Sequence, residues 1–427
     1  MSDIKSRLNF TYRTRFKPIQ RMSDGPSPFH FSFILRENPI NTLENVISNP
    51  DCFFTDIGWG CMIRTGQSLL GNALQLRNLG RDWRFDDNTD LKMTEKSNEI
   101  ASWFMDTPEK PFSLHRFISK GMQLSGKKPG EWFGPAATAR SIQSLVHEFP
   151  ECGIDKCLIS VSSGDIYKTE VEDVFNEGHT GEARNGQKDK TILILLGVKL
   201  GIETINRCYW DSIRRILSSE YSIGIAGGRP SSSLYFFGYQ GDELLYFDPH
   251  SPQPSYDKND LFYETCHTTN FGKLSLADMD PSMLLGIQIT GRKEWEQWQK
   301  EIKESKIINI LEMHPDDMNF DIDIDMNNKD EFDLETMCSN VSRTQDIDAN
   351  TSVEGDDYVD VGALLQQVGG TPSSSKDDGF QDIQCKKQNI MVIGNACCSN
   401  TVGEIEVEKV LVEHDTIGVA NPLPIFR

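Results

Sequence analysis

The stretch Asp56-Ile-Gly-Trp-Gly-Cys61 leads directly into Met-Ile-Arg-Thr-Gly-Gln67, so a glycine-rich turn precedes a run with helical spacing. Apolar residues recur from Cys61 to Leu76 at intervals of three and four, which predicts an amphipathic helix. Backbone amides in the first turn of a helix favour a thiolate over a thiol. Cys61 is therefore a candidate nucleophile, and its own amide is a candidate donor to an oxyanion. The alternative is a buried cysteine beneath a glycine turn.

A second chemical signal, Asp248-Pro-His250, directly follows a strand-like run that ends at Phe247. Residues two apart in an extended segment face the same side, so the carboxylate and the imidazole are expected side by side. A histidine held by a carboxylate is the base that a thiol nucleophile needs. In tight cysteine–histidine pairs the thiol pKa falls to roughly 3 to 4, which predicts an ion pair at rest. The alternative is a turn with a surface histidine.

The rest of the first three quarters of the chain indicates a mixed α/β fold. Short apolar runs at Thr191–Leu196, Ser233–Phe237 and Glu243–Phe247 are typical of buried strands. The last two runs flank a Gly241-Asp242 turn signal, which predicts a β-hairpin. Apolar residues from Glu294 to Leu311 predict a closing helix.

Composition excludes several classes of protein. The 427 residues carry a formal charge of −21, and so acidic a chain repels nucleic-acid backbones. No apolar run is long enough to span a membrane, and Met1–Phe10 lacks the apolar core of a secretory signal, so a cytoplasmic location is expected. The ten cysteines include no C-x-x-C pair, which argues against a zinc site or a disulfide framework. We therefore expect no metal.

The charge is concentrated near the C-terminus. Residues 315–382 hold 18 acidic and three basic residues, a net charge of −15. Such a segment buries too little apolar surface to offset its chain entropy, so we expect residues 315–386 to be disordered. This divides the chain into a folded domain at 1–314, an acidic segment at 315–386 and an extension of unknown structure at 387–427.

Five motifs in one order resemble the autophagins, the autophagy cysteine proteases. They are Phe10-Thr-Tyr-Arg13, Gly58-Trp-Gly-Cys-Met-Ile-Arg-Thr-Gly-Gln67, Gly130-Glu-Trp-Phe-Gly-Pro135, Gly227-Gly-Arg-Pro230 with Tyr235-Phe-Phe-Gly238, and Tyr246-Phe-Asp-Pro-His250. The resemblance covers about two thirds of the chain, from Arg7 to Thr290. It implies a papain-like core of the α/β (more strictly α+β) class, into which a small α/β subdomain is inserted.

The resemblance also assigns catalytic roles. It implies that Cys61 is the nucleophile, His250 the general base and acid, and Asp248 the group that orients the imidazole. It further implies that the hydroxyl of Tyr12 helps to form the oxyanion hole beside the Cys61 amide. No metal or organic cofactor is implied.

Two further segments would shape the substrate groove. The resemblance implies that Trp132 covers the groove that admits the substrate's C-terminal tail, and that Arg229, Pro230 and Ser231 form a regulatory loop above it. A groove narrowed by an indole favours glycine before the scissile bond, since glycine has no side chain to clash.

The implied activity is processing of the ubiquitin-like autophagy modifier. The family cleaves after the modifier's C-terminal glycine (priming) and cleaves the amide that joins this glycine to phosphatidylethanolamine (delipidation), which implies a transient encounter with membrane surfaces. One alternative is a weak or inactive member that binds the modifier as a scaffold. Another is a ubiquitin-like protease of different specificity.

The acidic segment contains a candidate docking motif, Asp356-Asp-Tyr-Val-Asp-Val361. An aromatic residue, two spacer residues and an aliphatic residue, preceded by acids, can add a strand to a sheet edge and fill two pockets. We expect Tyr358 and Val361 to bind the modifier and raise its local concentration through a flexible tether. Calorimetry of a 350–366 peptide that detects no binding at millimolar concentration would contradict this.

Overall fold

The structure, a computed structural model of the 427-residue chain, describes residues 1–28, 50–85, 91–161, 163–176, 189–256 and 259–314. Its α-helices are α1 (Ser2–Ser6), α2 (Cys61–Leu79), α3 (Leu91–Ser102), α4 (Leu114–Ser125), α5 (Pro135–Glu148), α6 (Lys168–Asn176), α7 (Trp210–Ser218), α8 (Asn259–Glu264) and α9 (Gly291–Glu301). Its strands are β1 (Arg13–Gln20), β2 (Cys52–Thr55), β3 (Lys156–Ser160), β4 (Asp165–Tyr167), β5 (Thr191–Lys199), β6 (Ser222–Arg229), β7 (Ser232–Gln240), β8 (Glu243–Phe247), β9 (Gln253–Pro254), β10 (Gly272–Ser275), β11 (Ser282–Thr290) and β12 (Asn309–Leu311). The mixed α/β class predicted from the sequence is confirmed.

A seven-stranded mixed sheet forms the centre of the fold. Its strand order is β10-β8-β7-β6-β11-β5-β3, and every neighbouring pair is antiparallel except the parallel pair β3 and β5. The predicted hairpin is confirmed, since β7 and β8 pair antiparallel across Gly241. A smaller sheet, β2-β1-β9, lies beside the segment that contains His250, and β4 pairs with β12.

Both faces of the large sheet are buried. Along β5, Leu193 and Leu195 pack in one hydrophobic cluster, whereas Ile192, Ile194 and Leu196 pack in another. Alternate residues of a strand point to opposite faces, so helices must cover both sides. This explains why β5 reads as an unbroken apolar run rather than as an alternating pattern. Helices α2 and α5 contact one face of the sheet, and α7 and α9 contact the other.

Helix α2 begins at Cys61 as predicted, but the expectation that it is amphipathic was wrong. Sixteen of its 19 residues are buried, including the polar residues Arg64, Gln67 and Asn72. The helix lies between the sheet, α5 and the N-terminal segment, so its polar stripe faces protein rather than water. Close contact is possible because Gly66 has no side chain; a Cβ there would lie 2.5 Å from Cγ2 of Thr138.

The predicted helix from Glu294 to Leu311 was too long. Helix α9 ends at Glu301, and the hydroxyl of Ser305 then accepts hydrogen bonds from the amides of Ile307 and Ile308. Both isoleucines are buried in the core, and Asn309–Leu311 forms β12. Pairing with β4 and burial of two adjacent apolar side chains outweigh the helical pattern in this segment.

Several sequence predictions fall outside the described residues. These are the acidic segment 315–386, the extension 387–427 and the docking residues Tyr358 and Val361, which therefore stay predictions. Among the described residues, no helix is long and apolar enough to cross a membrane.

Candidate active site

The nucleophile candidate lies at the junction of a tight turn and the central helix. Cys61 is the first residue of α2 and is 1% exposed. In the turn before it, the amide of Gly60 donates to the carbonyl of Asp56 at 2.8 Å, and Gly58 adopts a positive φ of 88°. A Cβ on Gly60 would lie 2.4 Å from Asp56 Oδ2, so this turn requires glycine. The sequence thus brings a thiol to the N-terminus of a buried helix, as predicted from the turn-and-helix pattern.

The second motif follows β8 and contacts the first. The Nδ1 atom of His250 lies 2.5 Å from Oδ1 of Asp248, and the amide of His250 donates to the same oxygen at 2.9 Å. We expected the two side chains to lie along an extended strand, but β8 ends at Phe247. They meet instead in a turn, in which the Asp248 carboxylate accepts from the backbone two residues later. The hydrogen bond between Nδ1 and Asp248 fixes the orientation of the imidazole, so that Nε2 of His250 is available to Cys61.

Four donors surround the sulfur of Cys61. The Nε1 atom of Trp132 donates to Sγ at 3.4 Å, and His250 and the backbone amide of Ser233 also form hydrogen bonds to it. The hydroxyl of Tyr12 forms a further hydrogen bond to the same sulfur. Donors that converge on sulfur stabilise the thiolate relative to the thiol.

The pKa values of the pair favour an ion pair. Burial acts to raise the pKa of the Cys61 thiol, but hydrogen bonds from His250, the Ser233 amide and Trp132 outweigh it and lower the pKa to about 7. Burial acts to lower the pKa of His250, but hydrogen bonds with Asp248 and Cys61 raise it to about 9. The thiol pKa stays above that of the tightest pairs, roughly 3 to 4, because burial opposes ionisation. Between about pH 7 and 9, a coupled thiolate and imidazolium are the main species.

Tyr12 contacts both the segment that contains His250 and the sulfur of Cys61. Its amide donates to the carbonyl of Pro249 at 2.8 Å, and its carbonyl accepts from the amide of Gln253 at 2.9 Å. Its ring packs edge-on against His250, with 5.2 Å between ring centroids. Burial, and then the negative charges of Cys61 and Asp56, raise the pKa of the phenol well above its usual range. The hydroxyl therefore remains protonated and able to donate.

Trp132 and the β6–β7 hairpin form the open side of the site. Trp132 is 43% exposed although its indole nitrogen contacts the buried sulfur, so its ring lies over Cys61 and faces solvent. Arg229, Pro230 and Ser231 are exposed, and the last two form the turn that joins β6 to β7. Ser231 has a φ of 60°, a left-handed conformation that is strained for a residue with a side chain. A strained residue thus lies two positions before Ser233.

Arg229 also acts on the catalytic carboxylate candidate. Burial acts to raise the pKa of Asp248, but hydrogen bonds from the His250 imidazole and amide, together with the charge of Arg229, lower it overall. Asp248 is therefore ionised across the physiological range, as an imidazole-orienting group must be.

Two residues that contribute to the site were not identified from the sequence. Ser233 acts through its backbone amide, which no side-chain pattern can indicate. Arg64 is fully buried beside Asp56, although its position three residues after Cys61 on one helix face was a usable signal. Among the residues that the structure describes, no three histidine, cysteine or acidic side chains converge as metal ligands.

Comparisons with known proteins show which proteins this chain is similar to. Residues 1–301 match the model of the Peptidase C54 catalytic domain. The chain is 56% identical over 422 residues to the "Cysteine protease ATG4" of Saccharomyces cerevisiae, an alignment that covers 99% of this chain and 81% of that protein. It is 45% identical over 419 residues to the "Cysteine protease ATG4" of Kluyveromyces marxianus, which covers 97% of this chain and 86% of that protein.

Proposed function

Because the chain belongs to the C54 peptidase family, the autophagins, and is a cysteine peptidase, we propose that it processes the ubiquitin-like autophagy modifier. It cleaves the modifier's precursor after the C-terminal glycine, and it cleaves the amide between that glycine and phosphatidylethanolamine. Both reactions transfer a glycyl group to a thiol and then to water. The free modifier and its lipid conjugate are the partners, and a cytoplasmic location suits both.

The observation that carries this proposal is the hydrogen-bonded series Cys61–His250–Asp248. The thiolate of Cys61 attacks the glycyl carbonyl, and His250, already protonated, donates its proton to the leaving amine. Water then hydrolyses the thioester with His250 as general base, which regenerates the ion pair. The Cys61 amide and the Tyr12 hydroxyl stabilise the oxyanion in both steps. The amine that leaves is either the next peptide residue or the ethanolamine headgroup, so one site serves both substrates.

The position of Trp132 supports glycine as the residue before the scissile bond. The indole lies over the sulfur, and a substrate carbonyl must come within bonding distance of that sulfur. A residue with a side chain would clash with the ring, whereas glycine passes beneath it. The hairpin turn Arg229–Ser231 lies beside the same opening and acts as the regulatory loop, which moves away as the tail enters. Docking through Tyr358 and Val361 would add affinity from outside the groove.

A product-mass experiment tests the proposal. The purified chain is incubated with the modifier extended beyond its glycine, with the modifier conjugated to phosphatidylethanolamine in vesicles, and with ubiquitin extended beyond its own C-terminal glycine. We expect one cut after the glycine in the first two substrates and none in the third. Cleavage of ubiquitin alone would support a protease of other specificity. Binding of the modifier without any cut would support the scaffold alternative.

The charge states of the site predict two different pH profiles. We expect alkylation of Cys61 by iodoacetamide to rise through about pH 7 and to stay high, because the thiolate persists when His250 loses its proton. Cleavage of the modifier should rise over the same range but fall above about pH 9, since neutral His250 cannot protonate the leaving amine. Stopped-flow alkylation and steady-state cleavage from pH 5 to 10 measure the two profiles.

Trp132→Phe serves as the control for these profiles. The variant keeps an aromatic ring over the groove but removes the indole donor, so the alkylation midpoint should move to higher pH. An unchanged midpoint in this variant would show that the indole does not stabilise the thiolate. Identical profiles for alkylation and cleavage in the parent chain would argue against a proton donor at His250.

A further inference from the structure

A fully buried ionic cluster lies directly beneath the active-site turn. Arg64 is 0% exposed, as are the carboxylates of Asp56 and Asp106. The guanidinium donates to Asp56 Oδ2 at 2.7 Å, to Asp106 Oδ1 at 2.9 Å and to Gln67 Oε1 at 3.0 Å. Burial opposes the charge on Arg64, but the two carboxylates outweigh burial and raise its pKa, so the side chain remains a cation.

Asp56 connects this cluster to the start of β1, directly after the oxyanion-hole residue Tyr12. Its second oxygen, Oδ1, accepts from the amide of Arg13 at 2.7 Å. Its carbonyl accepts from the amides of Trp59 and Gly60, which set the turn before Cys61. Asp56 therefore acts at two places: its carbonyl holds the turn before Cys61, and its carboxylate holds the Arg64 side chain and the peptide that follows Tyr12.

Tyr12 continues the connection to the base. Its backbone bonds to Pro249 and Gln253 on either side of His250. A bonded path thus runs from Arg64 through Asp56 to the Tyr12–Arg13 peptide and then to the turn that contains His250. Cys61, Tyr12 and His250 come from three separate segments, and this path joins all three.

Stability alone does not account for so costly an arrangement. Removing an arginine and two carboxylates from water is expensive, and well-packed apolar residues often stabilise a core as well as a buried ion pair does. A planar guanidinium that donates one hydrogen bond to each of two carboxylates does, however, fix direction and distance, which an apolar contact does not. Geometry that must be held within a fraction of an ångström for catalysis benefits from such contacts.

We propose that Arg64 and Asp56 are positioning residues that fix the Tyr12 hydroxyl relative to the Cys61 sulfur during acyl transfer, an inference that rests on the proposed peptidase function. Arg64 orients Asp56, Asp56 holds the peptide after Tyr12, and Tyr12 donates to the oxyanion. The pair acts on the rate of acyl transfer and leaves the binding of the modifier unchanged.

Two isosteric variants test this assignment. In Asp56→Asn, one of the two links is lost, because an amide nitrogen must face either the Arg64 guanidinium or the Arg13 amide, both of which are donors. Asp106→Asn removes one carboxylate charge from the same guanidinium but leaves the link to the Tyr12–Arg13 peptide untouched. We expect kcat for cleavage of the extended modifier to fall about 100-fold in Asp56→Asn and by no more than about threefold in Asp106→Asn. KM should stay within about twofold in both.

Counting folded sites separates positioning from loss of fold. Each preparation is titrated to completion by alkylation of Cys61 at pH 8, and kcat is calculated per reactive site. The end point counts intact sites even where loss of the Tyr12 hydrogen bond changes the rate of alkylation. Tyr12→Phe should lower kcat by about 10²-fold or more, and adding it to Asp56→Asn should cause little further loss, since both remove the same interaction.

The outcomes are distinct. A 100-fold loss per reactive site in Asp56→Asn, with near-normal Asp106→Asn and no additivity with Tyr12→Phe, supports the assignment. Equal losses in the two asparagine variants, full additivity with Tyr12→Phe, or a normal kcat per site in Asp56→Asn would overturn it. No cleavage by the parent chain would overturn the proposed function and, with it, this inference.

Discussion

Replacing Cys61 with serine is expected to lower kcat by about 10⁵-fold or more, as loss of the nucleophile does in other hydrolases that form an acyl-enzyme. The site is arranged for a thiolate, because the thiol pKa of about 7 lies below the imidazole pKa of about 9. A serine hydroxyl is a much weaker acid and stays protonated beside His250. The side chain hardly changes in size, so the modifier should still bind with the parent affinity.

Two measurements check this result. Product mass after long incubation gives the residual rate, and calorimetry of the variant with the extended modifier gives the affinity. Cys52→Ser is the matched control, since Cys52 lies on β2 and burial, with the charge of Asp51, raises its thiol pKa. We expect this control to cleave at the parent rate. Cleavage by Cys61→Ser at more than trace rates, or its loss in Cys52→Ser, would exclude Cys61 as the nucleophile.

Replacing His250 with alanine should lower kcat about 10⁵- to 10⁶-fold, whereas Asp248→Asn should lower it about 10⁴-fold. In the proposed mechanism His250 supplies the proton to the leaving amine and stabilises the thiolate, so its loss would remove two functions at once. Asparagine at 248 can still accept one hydrogen bond from the histidine, but it removes the charge that raises the imidazole pKa. Part of the orientation is thus retained while the proton affinity of the base falls.

Steady-state kinetics and the alkylation profile together test this order of effects. In His250→Ala the midpoint for alkylation of Cys61 should move from about pH 7 towards the usual thiol value, because the principal hydrogen bond to the sulfur is lost. His147→Gln is the control, since His147 accepts a hydrogen bond from the Cys157 amide at 3.2 Å and glutamine can replace that acceptor. A larger defect in Asp248→Asn than in His250→Ala would mean that the carboxylate does more than orient the imidazole.

The parts of the site that depend on local chain geometry were predictable. A glycine-rich turn before helical spacing placed Cys61 at a helix N-terminus, and the structure has α2 begin at that residue. Asp248 and His250 meet because they are two residues apart on either side of a proline, although a turn rather than a strand brings them together. The apolar run at Thr191–Leu196 predicted β5 because a strand buried on both faces lacks polar alternation.

The errors and omissions share one physical origin. Helix α2 was expected to be amphipathic, but its polar side faces protein: Arg64 binds Asp56 in the turn before the helix and Asp106 from a segment 42 residues later. The helix expected to reach Leu311 ends at Glu301, because Asn309–Leu311 pairs with β4, more than a hundred residues earlier in the chain. For both helices, a segment far away in the sequence supplied the contact that the local pattern could not predict.

Local sequence predicts which chemical groups are present, the turn and helix that deliver Cys61, and the contact between Asp248 and His250. It does so because backbone preference and short-range spacing depend only on neighbouring residues. Three features became visible only in the folded chain: Cys61, Tyr12, Trp132 and His250 share one site, the Ser233 amide faces the sulfur, and Arg64 is buried. Those contacts depend on which surfaces the sheet brings together, and the hydrogen bonds that shift both pKa values form only between groups that the fold places side by side.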